Sequence, residues 1–283
     1  MYGSIEFGGT KIKCASFDEN GKVIDDCWID TSKPEENLEK IGEFYKKNPV
    51  EALGVGAFGP IDLNENSKTY GFIQNTPKKL WVNYDLLGNL KKQVCQKIKI
   101  VTDVGLSLIG EANKGAGENL NSSLYLTIGT GIGGAYVQNG KLLNGFSHPE
   151  MGHINIKRFK DDDFKSICTY HEDCLEGLAC GPSVHKRLGK NPKEAEINEK
   201  AFKIAANYIA QAIYTYTLVL RPEIVIIGGG LINKKGFIEM IREEFDKIKG
   251  DYLEITPSEK YIVKPKLKND SALVGGYLLA KSL

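Results

Sequence analysis

The sequence has almost no net charge, no long apolar run and few histidines. Lys and Arg number 37 against 36 Asp and Glu, a formal charge of +1 over 283 residues. That balance lacks the broad positive footprint of a dedicated nucleic-acid binder, so no nucleic-acid partner is expected. No apolar stretch approaches the ~20 residues that a membrane-spanning helix needs, so no membrane partner is expected either. The opening MYGSIEFGGTK has no basic segment followed by an apolar one, unlike a signal peptide. A cytoplasmic location is expected. Six cysteines, at 14, 27, 95, 168, 174 and 180, make no disulfide framework in a chain of this length in a reducing compartment. Low-complexity segments and long linkers are missing. So are the G-x-x-x-x-G-K-[ST] phosphate loop and a Rossmann G-x-G-x-x-G opening a helix. Any nucleotide must therefore be held by a different architecture.

Glycine, in contrast, is plentiful: 31 residues, clustered just after apolar segments. Hydrophobic residues at 41% and charged residues at 26% are ordinary for a globular chain, and at ~150 residues per domain the length suggests about two domains. The first 30 residues read as three strands, 3–7, 11–18 and 22–29, with turns at Gly8-Gly9-Thr10 and Asn20-Gly21. A similar pattern recurs about 120 residues later: strands 123–128 and 132–137 around Gly129-Thr130-Gly131, then Asn139-Gly140 leading into 141–143. Two occurrences at so long a period fit a duplicated domain rather than a solenoid. Helical spacing predicts helices over 35–47, 85–97, 201–220 and 271–281. A β-branched strand over 223–227 ends in Gly228-Gly229-Gly230. Strands alternating with helices predict an α/β fold.

Several residues are suited to chemistry. A glycine turn lets backbone N–H groups approach phosphate oxygens, to which Thr10 and Thr130 add hydroxyls and Lys11 a charge. Each turn alone also reads as a plain tight hairpin. A third such turn, Gly228 to Gly230, could admit an adenine and ribose along its backbone. Asp103 stands where a strand over 99–102 ends and a helix begins by Leu106. There it either serves a ligand, accepting a proton from a sugar hydroxyl, or caps the helix. The sharpest local pattern is His153 with Cys168-x-x-His171-x-x-Cys174, which gathers two of only four histidines. Four such ligands suit tetrahedral zinc with no open position, a structural site. The polar stretch 157–165 is poor in core-forming residues, so a metal is expected to staple it. Glu150 and Glu176 flank this cluster, either accepting hydrogen bonds from a polyol or lying solvated.

These pieces together resemble the ROK (repressor, open reading frame, kinase) sugar kinases over nearly the whole chain. The resemblance rests on Glu6-Phe7-Gly8-Gly9-Thr10-Lys11, Phe58-Gly59-Pro60-Ile61, Thr76-Pro77-Lys78-x-x-Trp81 and Thr102-Asp103-Val104. It continues through Leu126 to Gly134, His148-Pro149-Glu150-Met151-Gly152-His153, Cys168 to Gly177 and Ile227 to Gly230. The C-x-Y-H-x-D-C form looks like the zinc-containing bacterial fructokinase branch. The resemblance implies the actin-like, hexokinase-type ATPase fold, two α/β domains around a cleft. It implies residues 1–107 joined by the final helix 269–283 in one domain, and 108–268, with the zinc-binding loop 145–180, in the other. It implies transfer of the ATP γ-phosphate to fructose, giving fructose 6-phosphate. Asp103 would be the general base; Glu150, His153 and Glu176 would face the sugar. Gly9, Thr10, Lys11, Gly129, Thr130 and Gly131 would meet the phosphates, while Pro182, Gly228, Gly229 and Gly230 would line the adenosine. His153, Cys168, His171 and Cys174 would hold structural Zn²⁺, and Mg²⁺ would bridge the phosphates. It suggests a homodimer.

Three positions depart from the family pattern. Gly105 replaces an Asn usual two residues after the Asp and normally near the sugar; Leu80 replaces a common Gly; and Glu6 stands for a frequent Asp. A glucose, mannose or N-acetylhexosamine kinase is the alternative reading, and a non-catalytic sugar sensor a further one. A repressor of the same family carries a helix-turn-helix domain before the first glycine motif. With a strand from about residue 3, none is expected here.

Overall fold

The computed structural model describes all 283 residues. They form two compact units, one of residues 1–119, 142–149 and 266–283, the other of 120–141 and 150–265. The expected boundary at 107 falls inside a helix that belongs whole to the first unit.

The first unit opens with strands β1 (Tyr2–Phe7), β2 (Lys11–Phe17) and β3 (Val23–Asp30), followed by helix α1 (Pro34–Lys47) and strand β4 (Ala52–Ala57). A two-stranded ribbon, β5 (Phe72–Ile73) and β6 (Tyr84–Asp85), precedes α2 (Leu86–Gln93), β7 (Lys97–Thr102) and α3 (Asp103–Lys114). The sheet order is β3-β2-β1-β4-β7, antiparallel across the hairpins and parallel along β1-β4-β7. Pro34 at the start of α1, Glu35 and Glu36 in its first turn and Lys46 and Lys47 in its last all suit the helix dipole. Its Leu38, Ile41, Phe44 and Tyr45 face the sheet.

Two expectations need correction here. The helix expected over 85–97 starts at Leu86, where Asp85 caps it by accepting from the Gly88 N–H at 2.8 Å, and ends at Gln93, since Lys97 already begins β7. The β7 strand thus starts two residues earlier than the reading from 99. Strand β4 has no alternation to betray it. Every residue of Ala-Leu-Gly-Val-Gly-Ala is buried, as a central parallel strand covered on both faces requires.

The second unit repeats the plan with strands β8 (Ser122–Ile128), β9 (Ile132–Gln138) and the short β10 (Lys141–Leu142). After them come α4 (Leu175–Ala179), α5 (Gly181–Leu188), α6 (Lys200–Leu220), β11 (Ile224–Gly228), α7 (Phe237–Lys249), α8 (Ser258–Tyr261) and β12 (Ile262–Val263). Its order, β10-β9-β8-β11-β12, is again a hairpin followed by parallel strands. Helix α6 packs Ile204, Tyr208, Ile209, Ile213 and Tyr216 into the core. No helix is long and apolar enough to cross a membrane.

The chain returns to the first unit with α9 (Ser271–Lys281). Its Leu273 and Tyr277 cover Ala15 and Phe17 on β2, and Ala272 and Leu279 pack with Val101 and Leu106. The approach is close because there are no side chains in the way. A Cβ on Gly275 would overlap the Leu106 carbonyl oxygen, and one on Gly276 would overlap Ser4 Oγ. Gly110 of α3 faces the Ser271 carbonyl in the same manner. Glu111, fully buried, accepts from the Lys266 and Leu267 N–H groups at 3.0 and 2.8 Å and from Ser271 Oγ at 2.7 Å, which fixes where α9 begins. Gly275→Ala is expected to destabilise the protein by about 1–3 kcal/mol through overpacking against backbone that cannot rotate away. A lowered urea midpoint with unchanged slope would show it; an unchanged midpoint would mean that α9 can slide.

Candidate functional site

In the first unit, β1 and β2 are joined by the Gly8-Gly9-Thr10 turn. The Gly8 N–H donates to the Lys11 carbonyl at 2.9 Å, and Thr31 Oγ1 donates to the Gly8 carbonyl at 3.1 Å. The Lys78 ammonium donates to the Gly9 carbonyl. Gly9, Thr10 and Lys11 are all exposed. The turn therefore presents backbone and one cation to solvent, held by neighbours through its carbonyls.

Asp103 is the first residue of α3, at the carboxyl end of the parallel strand β7. It is not the cap. That position belongs to Thr102, whose hydroxyl accepts from the Gly105 N–H at 3.0 Å, while Asp103 Oδ1 accepts from the Val104 N–H at 2.8 Å. Glu6, pointing from β1, faces the same place. Burial, and after it the charge of Asp103, push its carboxyl up to about 7 against the opposing Lys13 ammonium. Lys13 lies opposite Glu6 in the β1–β2 register, buried and 2.9 Å from Asp270. The sequence reading passed over Lys13 and gave Glu6 no role. A lone Glu and Lys inside apolar strands, in register with each other, were the available signal.

In the second unit the glycine turns lie together. Gly129 donates to the Gly131 carbonyl at 2.9 Å and accepts from the Gly181 N–H at 2.8 Å. Pro182 follows at the N-terminus of α5. Gly229, at φ +95°, presses on the backbone of Ile128 so closely that a Cβ would overlap it, which brings Gly228 to Gly230 against the end of β8. Only glycine takes that conformation without strain. Around Gly129 and Gly230 a Cβ would meet nothing within 4 Å, so the backbone there is open.

Beside these turns stands the His/Cys cluster. His153, Cys168, His171 and Cys174 each direct one ligand atom into a group in which all lie within 4.8 Å of one another. Cys168 Sγ is 3.9 Å from His153 Nδ1 and 3.7 Å from His171 Nδ1. Tetrahedral zinc with bonds of about 2.0–2.3 Å separates neighbouring ligand atoms by about 3.5 Å, so the two Cys168–histidine separations are within a few tenths of an ångström of it, and the widest in the group, up to 4.8 Å, would close by more. Cys174 sits at the start of α4, where its sulfur accepts from the Gly177 N–H at 3.3 Å. Burial pushes its thiol up to about 11, a cost that a bound cation would reverse. The donor set fits zinc.

Glu176, in the first turn of α4, places Oε2 2.8 Å from the Ile132 nitrogen and Oε1 3.9 Å from His153 Nε2. It thus joins the metal cluster to the Gly129–Gly131 turn. Burial raises the Glu150 carboxyl, with the Glu176 charge adding and His153 opposing. Within this unit the structure therefore brings Glu150, His153, Glu176 and the three other metal-ligand candidates into one neighbourhood.

The ROK family model matches residues 2–283. A fructokinase of Pediococcus pentosaceus is 41% identical over 282 residues, covering 100% of this chain and 98% of its own. A fructokinase of Lactococcus lactis subsp. cremoris is 44% identical over 285 residues, covering 100% of this chain and 97% of its own. Among solved structures, a ROK hexokinase from Thermus thermophilus superposes with a TM-score of 0.80 at 24% identity, covering 99% of this chain and 97% of that one. The fold is thus the actin-like ATPase fold.

Because Glu6 binds its proton more tightly folded than unfolded, its contribution to stability is fully present below the ordinary carboxyl value of 4.5 and is lost as pH rises toward about 7. In metal- and nucleotide-free protein, the melting temperature of wild type relative to Glu6→Gln should therefore fall between pH 5 and pH 8. A difference that stays flat across that range would show that Glu6 is not held as described.

Proposed function

The chain belongs to the ROK family, and we propose that it is an ATP-dependent fructokinase, transferring the γ-phosphate of ATP to the 6-hydroxyl of fructose. Identity above 40% to two fructokinases over the full length of both partners carries this reading.

In the proposed mechanism Asp103 is the general base. It takes the proton of the sugar hydroxyl as that oxygen attacks the γ-phosphorus and ADP leaves. Asp103 stands at the carboxyl end of β7, where its bond to the Val104 N–H orients the carboxylate. Glu150, His153 and Glu176 bind the sugar through its other hydroxyls. Gly9, Thr10 and Lys11, with Gly129, Thr130 and Gly131, supply N–H and hydroxyl donors and one cation to the phosphates. Gly228, Gly229, Gly230 and Pro182 line the adenosine. Mg²⁺ arriving with the nucleotide would neutralise phosphate charge. Zn²⁺ held by His153, Cys168, His171 and Cys174 would fix the tautomer and orientation of His153, leaving its Nε2 for substrate. Asp103→Asn should leave fructose binding nearly unchanged and lower turnover by about 10²-fold or more. Retained turnover would remove Asp103 as base.

Gly105 is the feature that bears on which hexose is preferred. A Cβ there would lie 2.9 Å from Thr102 Oγ1 and 3.4 Å from Leu142 Cδ1, so the corner is already filled and carries no polar side chain of its own. ADP release should be measured with MgATP and fructose, mannose, glucose, N-acetylglucosamine and N-acetylmannosamine. Fructose is expected to lead in kcat/KM. A lead by another hexose would keep the kinase chemistry and replace the substrate. The homodimer belongs to the same proposal.

A further inference from the structure

The loop from Lys157 to Cys174 has a second fastening besides any metal. Asp162 lies inside it with its side chain only 4% exposed, and it receives the Arg187 guanidinium from α5 through Nη1 and, at 2.8 Å, Nη2. The Tyr208 hydroxyl of α6 donates to the same carboxylate and accepts from the Phe159 N–H at 3.0 Å. The Arg187 guanidinium also stacks 3.9 Å above the ring of Phe164. Arg158 works from within the loop. Its Nε donates to Asp173 at 2.7 Å, Nη1 to the Phe164 carbonyl at 2.7 Å and Nη2 to the Glu172 carbonyl at 3.2 Å.

These bonds grip the loop at residues 158–164 and again at 172–173, on both sides of Cys168 and His171. The loop's few apolar residues, Phe159, Phe164 and Ile167, are only partly buried against the core. Here a buried ion pair and a tyrosine anchor it to two core helices. Such a pair contributes little net stability for its desolvation cost, yet removing one member leaves the other charge buried and alone. Its product is a fixed geometry.

We propose that Asp162, Arg187 and Tyr208, with Arg158, form a clasp that holds the metal-binding turn in its binding-competent shape before any metal arrives. They are positioning residues and touch no ligand atom themselves. The metal then need not bear the entropy of ordering the loop, and its work is confined to orienting His153. This reading rests on the metal assignment above and reverses the expectation that the metal staples the loop.

Two measurements test it. Metal-free wild type, prepared by chelation, should resist trypsin at the exposed Lys160 and Lys165. Metal-free Asp162→Asn should be cut there at least about tenfold faster. In competition with a chromophoric chelator, Asp162→Asn should bind Zn²⁺ about tenfold or more weakly than wild type. At saturation its Co²⁺ spectrum should keep the wild-type bands, since the four donors are unchanged. Should Asp162→Asn fail to fold, Tyr208→Phe, which keeps the ion pair, is expected to show both effects at a few-fold. Metal-free wild type cut as fast as the variant, or equal zinc affinity in both, would overturn the clasp. A wild type that binds no zinc would overturn the metal assignment instead, and the proteolysis would still decide the clasp.

Discussion

Helix α9 meets β4 and α3 backbone to backbone, and the placement of Asp103 depends on that contact. Gly110, Gly275 and Gly276 leave no side chain at the points of closest approach. Helix α3 is therefore held at the distance that bare backbones set, with Glu111 pinning the chain that leads into α9. Because α3 begins at Asp103, the same packing that seats the last helix aims the carboxylate. A change that widened this contact would displace Asp103, the proposed base, although nothing near it had altered. Effects of this kind are felt in turnover far from the substituted residue.

The carboxylates show how one fold sorts acids by environment. Glu6 and Glu150 are both raised by burial, each with a neighbouring carboxylate adding to the effect. Asp103 and Glu176 instead each accept a backbone N–H, from Val104 and from Ile132.

Much of this was readable from local patterns. The hairpins announced themselves through Asn-Gly turns and alternation, and the glycine turns through their position after apolar strands. The helical pattern over 271–281 matches the observed bounds of α9, two residues inside each end of the 269–283 that the family resemblance implied. What escaped notice was non-local. Strand β4 is buried on both faces and so has no period to detect. The cap role given as an alternative to Asp103 went to Thr102, since either residue can cap and only the observed backbone decides. The contact between Asp162 and Arg187 spans 25 residues, and nothing in the spacing foretells that a surface-like Asp will be buried against it. For the same reason the loop was read as needing a metal to hold it.

The first unit is built from three separate stretches of chain, the last of them residues 266–283. A ribosome delivers these in an order that the fold does not follow. When residue 119 has emerged, the first sheet is complete but its covering helix is unmade, and Ala15, Phe17 and Val101 face water. The second unit, closed by residue 265, has all its parts sooner. The usual sequence of folding during synthesis, N-terminal part first, is inverted here: the half that begins first is finished last. A nascent chain of this protein thus carries a sheet with part of one apolar face uncovered until residues 266–283 have emerged.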